Sequence, residues 1–401
     1  MLRGWTRWLE PWFAAYALVG LLVSGIVPIL VPLTVEHAGA FAVGLVVAAF
    51  YGGTLFAPVF GSVADKTGTQ RLTFLASFPT MAVAAVLFSQ VHATALWFLC
   101  ALLAGAAAGA AQTTASVFIV EGHPQSEWSE RIGWSRSAFG TGQVVGLAVS
   151  AIFTHRLDLG WIATGSLVLV GTVVGRIHLP HVGKVTAAAP SQGAEPSAPQ
   201  HNRLVDALRS PFGTLLVSWL LAMVGLMTFY NVVPLVMRDA FGVSPQATSV
   251  LFLIGAGIGV VMYPLTGRIA QARNAPFVLA IGYLTTLIAF VAMTVTSLTH
   301  PSWKAAVGAL CLIAIATAYP FQYVGANLLA AELSRGGEGS AMGLFNSAVA
   351  AGAIVGAVAP SFLADAFGYD SLPPLAAGAV LLAVLVGIPL LRRPARQDVE
   401  S

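Results

Sequence analysis

The chain has 401 residues and only 19 Lys and Arg and 16 Asp and Glu. Charged residues make up 9% of it, whereas a soluble domain carries about 25%, so a water-soluble surface is excluded. The basic residues are scattered, which gives no clustered basic face for nucleic acid. The two cysteines, Cys100 and Cys311, form neither a disulfide framework nor a CxxC metal site. We therefore predict no nucleic-acid partner, no metal and no cofactor.

Twelve apolar runs without internal charge follow one another along the chain. A membrane-spanning helix needs roughly 20 apolar residues, which is about the length of each run. The pattern predicts an all-α membrane protein with twelve transmembrane helices. The runs cover residues 12–33, 41–60, 72–90, 94–120, 132–154, 161–178, 211–236, 247–267, 276–298, 304–329, 340–363 and 372–391.

A stretch rich in Pro, Gly, Ala and Ser divides the runs six plus six. Its composition cannot bury a core and predicts a flexible linker. If both chain ends are cytoplasmic, all but Arg156, Arg238 and Lys304 of the 19 Lys and Arg lie inside, as the positive-inside rule requires. The predicted organisation is a six-helix bundle over 1–178, a cytoplasmic linker over 179–209, a second bundle over 210–393 and a cytoplasmic tail over 394–401.

The two halves resemble each other at fixed offsets. An offset of 210 residues places Gly142 on Gly352, Gly146 on Gly356 and Gln112 on Gln322, and an offset of 206 places Gly53 on Gly259. Parallel repeats of this kind bind their substrate near the membrane midplane, between halves that rock about the site.

The loop after the second run carries a recognisable pattern. It matches G-x-x-x-D-[RK]-x-G through Gly61, Asp65, Lys66 and Gly68, followed by Arg71. This resembles the loop between the second and third helices of the major facilitator superfamily, and the stretch from Pro28 to Arg71 resembles its small-molecule efflux branch. Thr69 and Gln70 stand where the family usually has basic residues. The resemblance implies two pseudo-symmetric six-helix bundles, alternating access and export.

Each residue of this loop pattern has a physical role. Gly61 lets two helices approach closely, and Gly68 permits a sharp turn. By the resemblance, Asp65 accepts hydrogen bonds from the amides that begin helix eleven, near Ser340, and holds the cytoplasmic side shut. We predict that Asp65→Asn shifts the population toward the inward-open state. The alternative is that Asp65 and Lys66 are solvated loop charges.

Titratable groups that could couple transport to protons are scarce. Every His and every acid falls in a predicted loop or at a helix end; the best candidates are Glu36 near the outer end of helix one and Glu121 at the inner end of helix four, unless they are interface charges. Arg136 is the deepest basic group. It either attracts an anionic substrate or pairs with Glu121, Glu127 or Glu130. Proton coupling thus rests on the resemblance.

The family fold implies that helices one, four, seven and ten line a central cavity, with help from two, five, eight and eleven. The predicted lining residues are all neutral, which suits a neutral or lipophilic small molecule. Each of them could instead bridge helices. They are Tyr51, Gln112, Gln143, Tyr230, Asn231, Tyr319, Gln322, Tyr323 and Asn346.

The favoured function is therefore a monomeric, multi-pass exporter of a small organic molecule in the bacterial inner membrane, an antiporter if protons drive it. A facilitator or importer of a neutral metabolite is the alternative. A receptor or assembly protein with a transporter fold remains open. An intramembrane enzyme is disfavoured, because the sequence has no H-E-x-x-H, no G-x-S-x-G and no buried general base.

Overall fold

The computed structural model describes residues 10–124, 127–179, 210–333 and 338–391 of the chain. These ranges are helical and contain no strand, which confirms the predicted fold class. In the first half the helices are α1 (Phe13–Gly20, Leu21–Ile26 and Val27–Val35), α2 (Ala40–Thr54 and Ala57–Thr67), α3 (Gln70–Gln90), α4 (Thr94–Gly122), α5 (Trp128–Phe153) and α6 (Leu157–His178). In the second half they are α7 (Pro211–Tyr230 and Val233–Asp239), α8 (Pro245–Ala272), α9 (Ala275–Thr299), α10 (Lys304–Leu333), α11 (Glu338–Phe367) and α12 (Leu372–Leu391).

Ten of the helices within these ranges are long and apolar enough to cross a membrane. The other two are α2, which is interrupted, and α5, whose first turns carry several charged and polar residues. The chain is therefore a multi-pass membrane protein. We call the side on which α1 begins and α12 ends the terminal side, and the side on which α1 passes into α2 the far side.

Three helices depart from regular α geometry, and each departure stands next to a proline. In α1 the residues Leu21–Ile26 form a π-helical turn just before Pro28, and α2 and α7 restart with Pro58 and Pro234 in their first turns. Proline has no N–H to donate to the preceding turn, so the regular hydrogen-bond ladder stops there.

The helices form two bundles with the same internal packing. In the first, α1 packs on α5, α4 on both α2 and α3, and α6 on α3; in the second, α7 packs on α11, α10 on both α8 and α9, and α12 on α9. The bundles meet where α2 packs on α11 and where α5 packs on α8. The first half of α2 makes the contact with α11, whereas its second half, Ala57–Thr67, packs mainly on α3 and α4.

Glycines set the closeness of the helices at repeat-equivalent places. A Cβ on Gly142 would lie 1.7 Å from the carbonyl oxygen of Ala17, so α5 and α1 are in backbone contact there. A Cβ on Gly352 would lie 2.6 Å from the Cβ of Met223, at the matching contact of α11 with α7. Small residues are what allow helices to approach this closely in lipid.

The linker beyond Leu179 and the tail over 394–401 lie outside the described residues, so the domain boundaries drawn through them stay predictions.

Candidate functional site

A cavity of about 940 Å³, including its mouth, lies between the two bundles. Its size falls in the range of small-molecule sites. The wall comes from α1, α2 and α5 of the first bundle and from α7, α8 and α10 of the second, while α4 contributes no residue from the described part of the chain. Its main polar and aromatic residues are Ser24, Tyr51, Arg136, Phe139, Gln143, Tyr230, Phe252, Tyr263, Tyr319 and Tyr323.

The second bundle supplies most of the aromatic surface. Tyr230 and Phe252 stack with ring centroids 5.0 Å apart and an angle of 3° between their planes. Tyr319 and Tyr323 lie 6.0 Å apart, at an angle of 31°. Parallel rings of this kind present a flat apolar face, which complements a flat apolar ligand.

Arg136 gives the cavity a positive charge. It lies about two turns inside α5, and its guanidinium carbon is 5.6 Å from the ring centroid of Tyr323. Within the described residues it forms no ion pair. This differs from the expected pairing with an acid: Glu127 accepts hydrogen bonds from Arg131 at 2.9 and 3.1 Å, and the side chains of Glu121 and Glu130 lie outside the described residues. The cavity wall is therefore not wholly neutral, as the sequence had predicted.

A charged cluster that the sequence analysis missed ties the first bundle together on the terminal side. Arg131 donates to Glu10 as well as to Glu127, and His123 lies 2.9 Å from the Glu10 carboxylate. The cluster links the residues before α1, the end of α4 and the start of α5. It consumes the acids near Arg131 and leaves Arg136, one turn further along, facing the cavity.

Five of the nine predicted binding residues lie on the cavity wall, namely Tyr51, Gln143, Tyr230, Tyr319 and Tyr323. The other four do not, and this corrects their expected position. Gln322 is buried and donates to the Thr286 hydroxyl at 2.5 Å and to the Gly282 carbonyl at 3.2 Å, so it joins α10 to α9. Asn231 is buried and donates to the Ala353 carbonyl at 3.2 Å, which joins α7 to α11.

Gln112 and Asn346 also lie off the wall. Gln112 donates to the Ala108 carbonyl of its own helix at 3.4 Å, and Asn346 is exposed on α11. Phe252 and Tyr263 are wall residues that were not predicted. They fall on one face of α8 together with Ala256, Gly259 and Val260, a helical spacing that the sequence does contain.

An ion pair closes the far side of the cavity between the bundles. Glu36, just after α1, accepts a hydrogen bond from Arg238 at the end of α7, with 2.7 Å between the oxygen and the nitrogen. Arg238 also donates to Asp239 at 2.7 Å. The candidate coupling residue Glu36 thus takes part in a contact between bundles.

A second far-side contact joins α2 to α11. The Asp365 carboxylate, near the end of α11, accepts from the backbone N–H groups of Ala40 and Phe41 at 2.9 and 3.1 Å. An acid at this place satisfies the unpaired amides at the start of α2 and is attracted by the helix dipole. The rings of Phe41 and Phe362 add an apolar contact, with centroids 4.6 Å apart.

The loop pattern between α2 and α3 is described in part. Gly68 ends α2 with a φ of +66°, a left-handed conformation that favours glycine. Lys66 is exposed, and Arg71 donates to the carbonyl of Arg176 at 3.0 Å, which ties α3 to the end of α6. The side chain of Asp65, the surroundings of Gly61 and the first residues of α11 lie outside the described residues, so the expected cap there stays a prediction.

Comparisons with known proteins agree with this architecture. The family model described as Major Facilitator Superfamily matches residues 12–338. The fold is similar to crystal structures of the nucleoside transporter NupG, in a mutant form with TM-score 0.77 and in another structure with 0.73; identity is 13%, 96% of this chain is covered, and so are 100% and 98% of those chains. The D-xylose-proton symporter is also similar, with TM-score 0.69, 13% identity and coverage of 94% of this chain and 96% of that one. No curated protein sequence matches the chain.

Proposed function

Since this chain belongs to the major facilitator superfamily, and is therefore a membrane transport protein and not an enzyme, we propose that it exports a small organic molecule by alternating access. The observation that carries the proposal is a cavity between two bundles whose far side is closed by contacts from one bundle to the other. Such contacts can break without unfolding either bundle, which is what rocking about a central site requires.

The direction of transport rests on the loop pattern from Gly61 to Arg71. With both chain ends in the cytoplasm, as the distribution of Lys and Arg favours, the far side is extracytoplasmic. The described conformation is then the inward-facing one, ready to take up its substrate from the cytoplasm of a bacterial cell.

Glu36 is the proposed site of proton coupling. Hydrogen bonds to Asp239 and to Glu36 raise the pKa of Arg238, so the arginine stays charged and Glu36 is the partner that titrates. Protonation of Glu36 would remove the ion pair and weaken the far-side closure. Antiport would follow if a proton that enters from the far side opens the cavity for release of the substrate.

Uptake is the second candidate. It is favoured by the similarity in fold to proteins described as a nucleoside transporter and a D-xylose-proton symporter. A facilitator or importer of a neutral metabolite would use the same cavity with the opposite net flux. Everted vesicles separate the two, because an exporter accumulates its substrate inside them and loses that accumulation when the proton gradient is collapsed.

A cross-link across the far side tests alternating access itself. Phe41→Cys and Phe362→Cys are introduced together after the buried Cys100 and Cys311 are replaced by alanine, and a short bifunctional thiol reagent is added. In proteoliposomes, flux of a panel of radiolabelled anionic, neutral and cationic organic molecules should stop in the cross-linked double variant and continue in each treated single variant. Flux that survives the cross-link, or a panel of which no member moves, would overturn the proposed function.

A further inference from the structure

We propose that the cavity binds a small organic anion with a flat apolar body, whose charged group is held by Arg136 and whose opposite end meets the hydroxyl group of Tyr230. The proposal rests on the proposed function for its transport role and names the substrate class of the same cavity. It replaces the neutral substrate that the sequence alone had favoured.

Arg136 is the first of the observations. It is the charged side chain of the described cavity wall, and within the described residues no carboxylate faces it. Its contact with the Tyr323 ring leaves the donors of the guanidinium fork free for a ligand. A cation inside a membrane is costly enough that its presence marks function, and the planar fork of arginine matches the two oxygens of a carboxylate.

The hydroxyl group of Tyr230 is the second, independent observation. Tyr230 is 8% exposed and lies on the cavity wall. Its oxygen is buried and has no hydrogen-bond partner in the described part of the chain. Buried polar atoms are nearly always paired, so a hydroxyl left open toward a cavity indicates that a ligand completes it.

The two groups stand toward opposite ends of the cavity. With a rise of 1.5 Å per residue, Arg136 lies about 12 Å along α5 from the terminal side, and Tyr230 lies about 28 Å along α7 from the same side. The long arginine side chain shortens the gap that a ligand has to bridge. A molecule of one or two fused rings with one acidic group fits this distance.

The wall between the two groups selects a flat body. The parallel pair of Tyr230 and Phe252 forms one face, and Gly259 leaves the surface of α8 without a side chain beside it. Tyr319 continues the aromatic wall toward Arg136. Burial against such faces favours an aromatic ring over a branched or strongly hydrated body.

The test of the charge compares two ligands of the same shape, 2-naphthoate and its neutral amide 2-naphthamide, by calorimetry on the purified full chain. We expect 2-naphthoate to bind at least tenfold more tightly. Arg136→Gln should abolish that preference, Arg136→Lys should keep part of it, and the matched control Arg268→Gln, an exposed arginine at the end of α8, should keep all of it. Equal affinity for the two probes, or a preference that survives Arg136→Gln, would overturn the proposal.

The test of Tyr230 uses 6-hydroxy-2-naphthoate, which carries a polar group at the end away from its carboxylate. We expect it to bind severalfold more tightly than 2-naphthoate to the unaltered chain and equally to Tyr230→Phe, while Tyr51→Phe, a lining tyrosine on the other bundle, keeps the difference. A gain that persists in Tyr230→Phe contradicts the assignment.

The outcomes also separate this proposal from the proposed function. If 2-naphthoate binds through Arg136 but is not moved across proteoliposomes, the substrate class stands and the transport role fails. If neutral probes bind and are transported as well as the anion, the transport role stands and the substrate class fails. Loss of monodisperse protein in Arg136→Gln leaves the comparison with Arg136→Lys to decide.

Discussion

The two bundles are alike where backbones touch and different where they face the cavity. On α5 and α11 the glycine pairs Gly142 and Gly146, and Gly352 and Gly356, press against α1 and α7 respectively. On the same two helices the cavity-facing Arg136 of α5 corresponds, at the repeat offset, to Asn346, which is exposed. A duplicated scaffold thus keeps the residues that set helix distances, while the residues that face a ligand are free to diverge.

The wall of the cavity shows the same asymmetry. The first bundle contributes the charge of Arg136 and the amide of Gln143, whereas the second contributes four of the five tyrosines that line the cavity. A ligand held between the bundles would therefore have its charge attached to one bundle and its apolar face to the other. Both contacts have to be present for the ligand to bridge the bundles.

The largest expected effect breaks the shared scaffold. Gly142→Ala would place a methyl group 1.7 Å from a backbone oxygen, so we expect destabilisation at or above the upper end of the 1–3 kcal/mol that is typical of overpacking, about 3 kcal/mol. Gly352→Ala meets a side chain at 2.6 Å and should cost less. Gly133→Ala, with nothing within 4 Å, is the neutral control. The melting temperature and the yield of monodisperse protein measure this, and equal values for positions 142 and 133 would contradict it.

The next effect sharpens the asymmetry of the repeat. Arg136→Gln should lower kcat/KM for flux of 2-naphthoate in proteoliposomes at least tenfold, or about 1.4 kcal/mol, because the charge that holds the anion is lost. Asn346→Ala, at the repeat-equivalent position, should change it less than twofold because Asn346 lies off the described cavity wall. Similar losses at the two positions would show that both helices contact the ligand.

A third effect compares the repeated glutamines. Gln322→Ala removes two buried hydrogen bonds between α10 and α9 and leaves their partners unpaired, so unfolding should become easier by about 1–3 kcal/mol. Gln112→Ala removes a weak bond within one helix and should cost only a few tenths of that. Thermal unfolding in the same detergent reads both. A larger loss at position 112 would show that Gln112 has contacts beyond its own helix.

The smallest expected effect concerns the far-side closure. Asp365→Asn weakens the cap on α2, and a charge at a helix start contributes about 0.3–1 kcal/mol, so the population with an open far side should rise up to about fivefold. Ser24→Cys, in a chain without the two native cysteines, reports this as faster labelling by a reagent added on the far side. Asp158→Asn, an exposed acid on that side, is the control, and equal labelling rates in the two variants would contradict the role of Asp365.

Much of the fold could be predicted because apolar length and charge breaks decide where membrane helices lie. The run predicted over 72–90 became Gln70–Gln90, and the run over 94–120 became Thr94–Gly122. The run over 41–60 was predicted as one segment, yet the helix breaks at Leu55 and Phe56. Pro58 caused the break, and its effect depends on how neighbouring helices satisfy the freed carbonyls, which a hydropathy pattern does not record.

The site was harder to predict for a physical reason. A helix that is apolar all round has no amphipathic face to show which side chains point inward, so Gln322 and Tyr319, three residues apart on α10, could not be told apart as a bridge between helices and a wall residue. The partner of Glu36 was equally hidden, because Arg238 is 202 positions away in the chain. The position of Arg136 depended on which arginine the nearby acids bind, and that is set by packing on the terminal side.

The π-helical turn in α1 fixes the angular phase of the helix on either side of it. The turn Leu21–Ile26 holds more residues per turn than its α-helical neighbours, and each residue of an α-helix advances the face by about 100°. Shortening α1 by one residue at this turn would therefore swing one end relative to the other by about a quarter of a circle. Either the wall residues Ser24 and Pro28 or the ion pair of Glu36 would then point the wrong way, so α1 should tolerate substitution here far better than deletion.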